Sequence, residues 1–203
     1  DGTEAILPTT PMGETGPLTR VENGTVLKVV DNAKDYRDDG GWAKGAIDFV
    51  SARELFNGIG NGLFDQNGTM TRAMLVTVLH RMENKPATDG SYTFTDVPHN
   101  VWFTDAIAWG AQAGIIKGYS AAQFGPHDAI TREQMVTILY RKLGSPAAPA
   151  VDTGASAWAA DAMSWAVSIG LIQGSEKGYA PRDEATRAEA AAILMRFINL
   201  TAK

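Results

Sequence analysis

Three tryptophans, Trp42, Trp102 and Trp158, stand 60 and 56 residues apart, and the sequence following each is a version of one pattern. Seven residues on comes a second aromatic: Phe49, Trp109 or Trp165. Sixteen residues on comes a glycine, Gly58, Gly118 or Gly174, and then another aromatic, Phe64, Phe124 or Tyr179. A Thr-Arg pair follows, at Thr71-Arg72, Thr131-Arg132 and Thr186-Arg187, and then an apolar stripe containing Leu79, Leu139 and Leu194. Ordered agreement at this many positions makes the chain three copies of one unit, at residues 36–85, 92–145 and 152–203. The joins, "NKPATDGS" and "GSPAAPAVDTG", are short and rich in helix-breaking residues, so the copies are expected to pack on one another.

Each copy reads as helix–loop–helix, which makes the fold class all-α. The first helix of the second copy should stop at Gly114 and that of the third at Gly170, each in the left-handed position past a helix end. Glu54 occupies the matching place in the first copy, so a different ending is expected there. The second helix opens on a threonine that suits the N-cap. Gln134 and Glu189 complete a capping box with Thr131 and Thr186, whereas Thr71 has only Met74. Met135, Val136, Leu139 and Leu143 then form one apolar stripe, with counterparts in the other copies. One such helix pair cannot bury its own apolar face; three stacked pairs can. Residues 1–35 lie outside the repeats. Asn23-Gly24, inside "PLTRVENGTVLKVV", reads as the turn of a small hairpin.

The arginines are the unexplained part of the pattern. A cation in the first turn opposes the helix dipole, and its recurrence in all three copies points to an anion nearby. As a surface residue it should stabilise the fold little.

The ordered set resembles the S-layer homology family, whose repeat reads approximately F-x-D-V, W, D-A-I, G-I-I-x-G, F-x-P and I-T-R-A-E. The second copy carries "FTDV", Trp102, "DAI", "GIIKG", "FGP" and "ITREQ". The third carries Trp158, "DAM", "GLIQG", "YAP" and "TRAE", and the first "YRDD", Trp42, "GAI", Phe64 and "MTRAM". The resemblance implies a pseudo-threefold, three-lobed spindle around a central helical bundle. It also implies an extracellular module that anchors an upstream cargo non-covalently to the cell wall or S-layer, through a pyruvylated secondary cell-wall polysaccharide. Carried over residue by residue, the implied ligand-binding positions are Arg72, Arg132 and Arg187, with Trp42, Trp102 and Trp158, and with Gly58, Gly118 and Gly174. A guanidinium fork suits the pyruvate carboxylate, unpaired N–H groups at a helix start suit an anion, and an indole face suits the C–H side of a sugar. Two other readings stay open: a protein–protein assembly module of a surface layer, and the anchor part of a wall-associated hydrolase.

Bulk properties narrow the field. The net charge of −5 comes without any cluster of Lys or Arg, so no nucleic-acid partner is expected. No apolar run approaches the roughly 20 residues of a membrane span. With no cysteine and only three scattered histidines, nothing points to a catalytic nucleophile, a metal or a cofactor, and the chain itself reads as non-enzymatic. It starts at Asp1 without a leader pattern and reads as a processed chain or part of a larger protein.

Overall fold

The computed structural model describes residues 10–12, 16–18 and 32–201. Asn23-Gly24 lies outside them. Helix dominates, and the chain divides into two compact units, Gly68–Thr186 on one side and Asp1–Asn67 with Arg187–Lys203 on the other.

In the discontinuous unit, β1 (Thr10–Met12) and β2 (Gly16–Leu18) pair antiparallel, with Thr10 opposite Leu18. A 3-10 turn at Gly41–Ala43 leads into α1 (Lys44–Ala52), and α6 spans Arg187–Thr201. The continuous unit holds α2 (Arg72–Met82), α3 (Thr104–Gln112), α4 (Arg132–Lys142) and α5 (Ala160–Ser168). Helices of 9 or 11 residues are marginal alone in water, so packing must hold them.

The packing partner of each second helix is not the first helix of its own repeat. The expected helices are present, but α2 packs chiefly on α3, α4 on α5 and α6 on α1. The second helix of each repeat therefore lies against the first helix of the next, and the third repeat closes on the first. Each helix of these pairs carries enclosed apolar residues: Ile47 and Val50 of α1 are fully buried, as is Leu194 of α6, while Leu79 of α2 and Ile107 of α3 are equally enclosed.

Within the continuous unit, the residues before the three Thr-Arg pairs form a closed cycle. Ile130 N–H donates to Met70 O at 2.8 Å, Met70 N–H to Ala185 O at 2.9 Å, and Ala185 N–H to Ile130 O at 2.9 Å. All three side chains are fully buried. Isolated bridges flank the cycle, at Thr69 with Thr186, Thr71 with Ala129, and Thr131 with Glu184.

Helix endings follow the sequence with one correction. Gly114 and Gly170 take φ of +70° and +75°, and the amides after them turn back to Gly110 O and Ala166 O. Glu54 was expected to end α1 differently. It takes φ +54°, and Leu55 N–H returns to Val50 O, so the same ending is made with a side chain in a strained backbone region.

Candidate functional site

The Thr-Arg pairs place their arginines as follows. Thr71 Oγ1 accepts from Met74 N–H, and Thr131 and Gln134 form both halves of a capping box. The cap holds the next residue at the start of the first turn, and its side chain reaches into the loop of the following repeat. Arg72 Nε donates to Phe124 O at 2.9 Å and its Nη2 to Lys117 O at 2.9 Å. Arg187 does the same to the first repeat, Nε to Phe64 O at 2.9 Å and Nη2 to Asn57 O at 2.8 Å. Arg132 Nε donates to Tyr179 O at 3.1 Å.

These are not surface arginines. Arg72 is 4% exposed and Arg187 6%, while Arg132 is half-buried. Rings complete the enclosure: the Arg72 guanidinium lies 4.6 Å from the Tyr119 ring centroid and 4.5 Å from that of Phe124, and Arg187 lies 4.7 Å from that of Phe64. Burial pulls both guanidinium pKa values below their ordinary level. Neutral carbonyls, not carboxylates, engage them, and among the described residues neither forms a salt bridge. The expectation that such an arginine stabilises little gives way to that of a buried, doubly bonded cation.

The helix starts differ from expectation as well. Arg72 N–H and Ala73 N–H donate to Asp128 O and Pro126 O, and Arg132 N–H and Glu133 N–H to Asp183 O and Pro181 O. Donors that could have met an anion are already used by the neighbouring repeat's backbone.

Sequence reasoning overlooked two carboxylates at these loops. Asp96 Oδ1 and Oδ2 accept from Phe124 N–H at 2.8 Å and Gly125 N–H at 2.7 Å; Asp38 accepts from Phe64 N–H at 2.7 Å and Asp65 N–H at 2.6 Å. Burial acts to raise both carboxyls, but the backbone donors outweigh it and hold each below the ordinary carboxylate value, with Arg72 adding at Asp96. The signal was available, because "YRDD" and "FTDV" share an acid at one place; it is absent from the third copy, which carries Thr153 there.

Gly118 and Gly58 belong with the arginines. A Cβ on Gly118 would lie 2.6 Å from both the Phe94 ring and Ser120 O, and one on Gly58 2.5 Å from the Tyr36 ring and 2.6 Å from Leu63 O. Their service is close approach rather than a left-handed φ. Gly174 is roomier, with nothing nearer than 3.6 Å.

The tryptophans lie elsewhere. Trp42, Trp102 and Trp158 are 70%, 59% and 56% exposed. Trp102 lines a cavity of about 490 Å³ with Thr77, His80, Arg81, Lys85 and Asp105. Arg81 is nine residues beyond Arg72 on α2, roughly 13 Å along the axis at 1.5 Å per residue. The structure thus brings Arg72 and Gly118 together, and sets Trp102 beside the far end of α2.

A family model described as S-layer homology domain matches residues 34–73, 93–136 and 151–191, well over half the chain. The chain is 32% identical over 172 residues to the amylopullulanase of Thermoanaerobacterium thermosulfurigenes, covering 79% of this chain and 9% of that protein. It is 32% identical over 188 residues to exoglucanase XynX of Acetivibrio thermocellus, covering 87% and 17%. Over 173 residues it is 30% identical to the surface-layer 125 kDa protein of Lysinibacillus sphaericus, covering 81% and 15%. The chain thus spans less than a fifth of each.

Proposed function

Because the chain belongs to the S-layer homology domain family, we propose that it holds a larger surface protein on the cell wall by binding a pyruvylated secondary wall polysaccharide. It is a cell-wall-associated extracellular module, and the domain of this family is a non-catalytic anchor. The cargo is a further domain of the same protein, such as a polysaccharide-degrading one. The three repeats form a three-lobed spindle, a reading supported by the closed cycle through Met70, Ile130 and Ala185 and by the onward packing of each repeat on the next.

One observation carries the ligand class. Arg72 and Arg187 are buried cations whose hydrogen-bond partners are neutral carbonyls, with Asp96 and Asp128 or Asp38 and Asp65 acting on them only through space, so neither guanidinium is neutralised by a direct ion pair and an anion at the loop surface suits it. A ketal-linked pyruvate supplies one carboxylate per sugar. Arg72, Arg132 and Arg187 with Gly58, Gly118 and Gly174 make the anion sites; Trp42, Trp102 and Trp158 offer exposed indole faces to neighbouring sugars. Three weak sites on one module would add by avidity.

The test is sedimentation of the chain with purified wall sacculi, before and after the secondary polysaccharide is stripped by acid. Binding should vanish on stripping and be competed by free pyruvylated saccharide. Binding that survives stripping would redirect the reading to peptidoglycan or to protein–protein assembly.

A further inference from the structure

The three arginine sites share a plan but not a foundation. In the first two loops a carboxylate grips two consecutive amides: Asp38 those of Phe64 and Asp65, Asp96 those of Phe124 and Gly125. The carbonyl of the first gripped residue, Phe64 or Phe124, is the acceptor for Arg187 Nε or Arg72 Nε. Carboxylate, peptide group and guanidinium therefore form one chain of hydrogen bonds, and charge at both ends polarises the peptide between them. An aromatic pair backs each loop, Tyr36 with Phe64 at 5.5 Å and Phe94 with Phe124 at 5.3 Å between centroids.

The third loop keeps the carbonyl, Tyr179 O, but not the carboxylate or the backing aromatic. Thr153 stands where the acid should be and Val151 where the backing aromatic should be. Asp152 is turned to its own loop, accepting from Gly154 N–H at 3.1 Å. Ala180, at the place of Asp65 and Gly125, keeps a φ of +45° without a carboxylate on its amide. Arg132, which this loop receives, is also the most exposed of the three arginines.

We infer that Asp38 and Asp96 are positioning residues for the arginine sites. Each fixes, through one peptide group, the carbonyl that holds Arg187 or Arg72, whereas the 173–180 loop, braced by the Ser175–Gly178 turn, offers Arg132 the Tyr179 carbonyl without a carboxylate behind it. The anion sites at Arg72 and Arg187 thereby carry a preorganising carboxylate that the site at Arg132 is without. This ranking differs from the one that capping residues alone suggest, which puts Arg132 and Arg187 ahead of Arg72. The link to affinity rests on the wall-binding reading; the link from carboxylate to arginine does not.

The experiment uses the whole chain and two readouts. Hydrogen exchange of the arginine Nε–H groups and loop amides is followed by NMR, with the Arg72 signal assigned by its loss in Arg72→Lys. Binding to wall sacculi is measured in parallel. Asp96→Asn should speed exchange at Arg72 Nε–H and at the Phe124 and Gly125 amides at least 10-fold, leave Arg187 Nε–H unchanged, and weaken sacculus binding several-fold. Asp38→Asn should do the reverse. Thr153→Asp, which adds the missing acid, should slow exchange at Arg132 and raise affinity, and it keeps the test intact if an Asn variant folds poorly. Unchanged exchange at Arg72 in Asp96→Asn, or an equal rise at Arg187, would overturn the positioning role. Faster exchange with unaltered sacculus binding would overturn its link to affinity. If the parent chain itself does not sediment with sacculi, the anchoring proposal fails, and the exchange data still decide whether the carboxylates position the arginines.

Discussion

Arg72→Ala offers the most direct measure of what the Thr-Arg pair contributes. The substitution removes two charge-assisted hydrogen bonds, to Phe124 O and Lys117 O, each contributing about 1.5–3 kcal/mol. It also strips the packing of a side chain that is 4% exposed and lies against the rings of Tyr119 and Phe124. Against this, the buried cation no longer has to be desolvated, which returns part of the loss. The expected net cost is about 3–5 kcal/mol, a fall in thermal midpoint on the order of 10 °C for a chain of this size. Arg187→Ala, with the same two-carbonyl arrangement, should cost as much. Arg132→Ala should cost less than either, because that side chain is half-buried and its Nε bond is longer. Lysine at position 72 should recover less than half, since one ammonium cannot replace a planar fork aimed at two acceptors. Urea denaturation followed by far-ultraviolet circular dichroism gives the three values. A loss under about 1 kcal/mol at Arg72, or Arg132 proving the costliest of the three, would refute the reasoning.

Glu54→Gly should stabilise by about 1 kcal/mol in the same assay, because φ +54° strains any residue with a Cβ; a destabilisation would mean that the contact from Asn32 Nδ2 to Glu54 Oε1 outweighs the strain. Gly118→Ala should cost roughly 3 kcal/mol or more, whereas Gly174→Ala should stay within about 0.5 kcal/mol of the parent; equal effects would show that the two loops are not packed as described. Asp38 and Asp96 titrate below the ordinary carboxylate value, so their contribution is complete above about pH 4 and is lost as pH falls through their folded-state values. The Asp38→Asn/Asp96→Asn double variant should therefore be less stable at pH 7 and lose less on acidification, and an acid limb as steep as the parent's would count against the role given to these carboxyls.

Local features of this fold were legible and pairwise ones were not. Thr71 and Thr131 cap as their sequence context predicts, and Gly114 and Gly170 end helices where a residue without a Cβ is favoured. Apolar spacing identified the buried faces of α2 and α4, but periodicity says only that a face needs a partner, not which one. Hence the shift in register, with α2 on α3 and α4 on α5, did not follow from it. The burial of Arg72 and Arg187 was hidden for a related reason. Their partners are main-chain carbonyls, and a carbonyl is written at every position and marks none. The exposure of Trp42, Trp102 and Trp158 runs against the usual preference of indole, so apolar spacing alone did not indicate it, although it accords with the ligand-facing positions that the family resemblance implies.

The pairing of α1 with α6 has a consequence for how the chain is made. Arg187 meets its two loop carbonyls across 123 and 130 positions of sequence. A ribosome releases the first repeat long before the last helix exists, so α1 waits without the helix it packs on. Contacts this distant raise the contact order and slow the final step. During export the waiting segment is the one most open to proteases and to other chains, and the last fifteen residues of helix decide when that exposure ends.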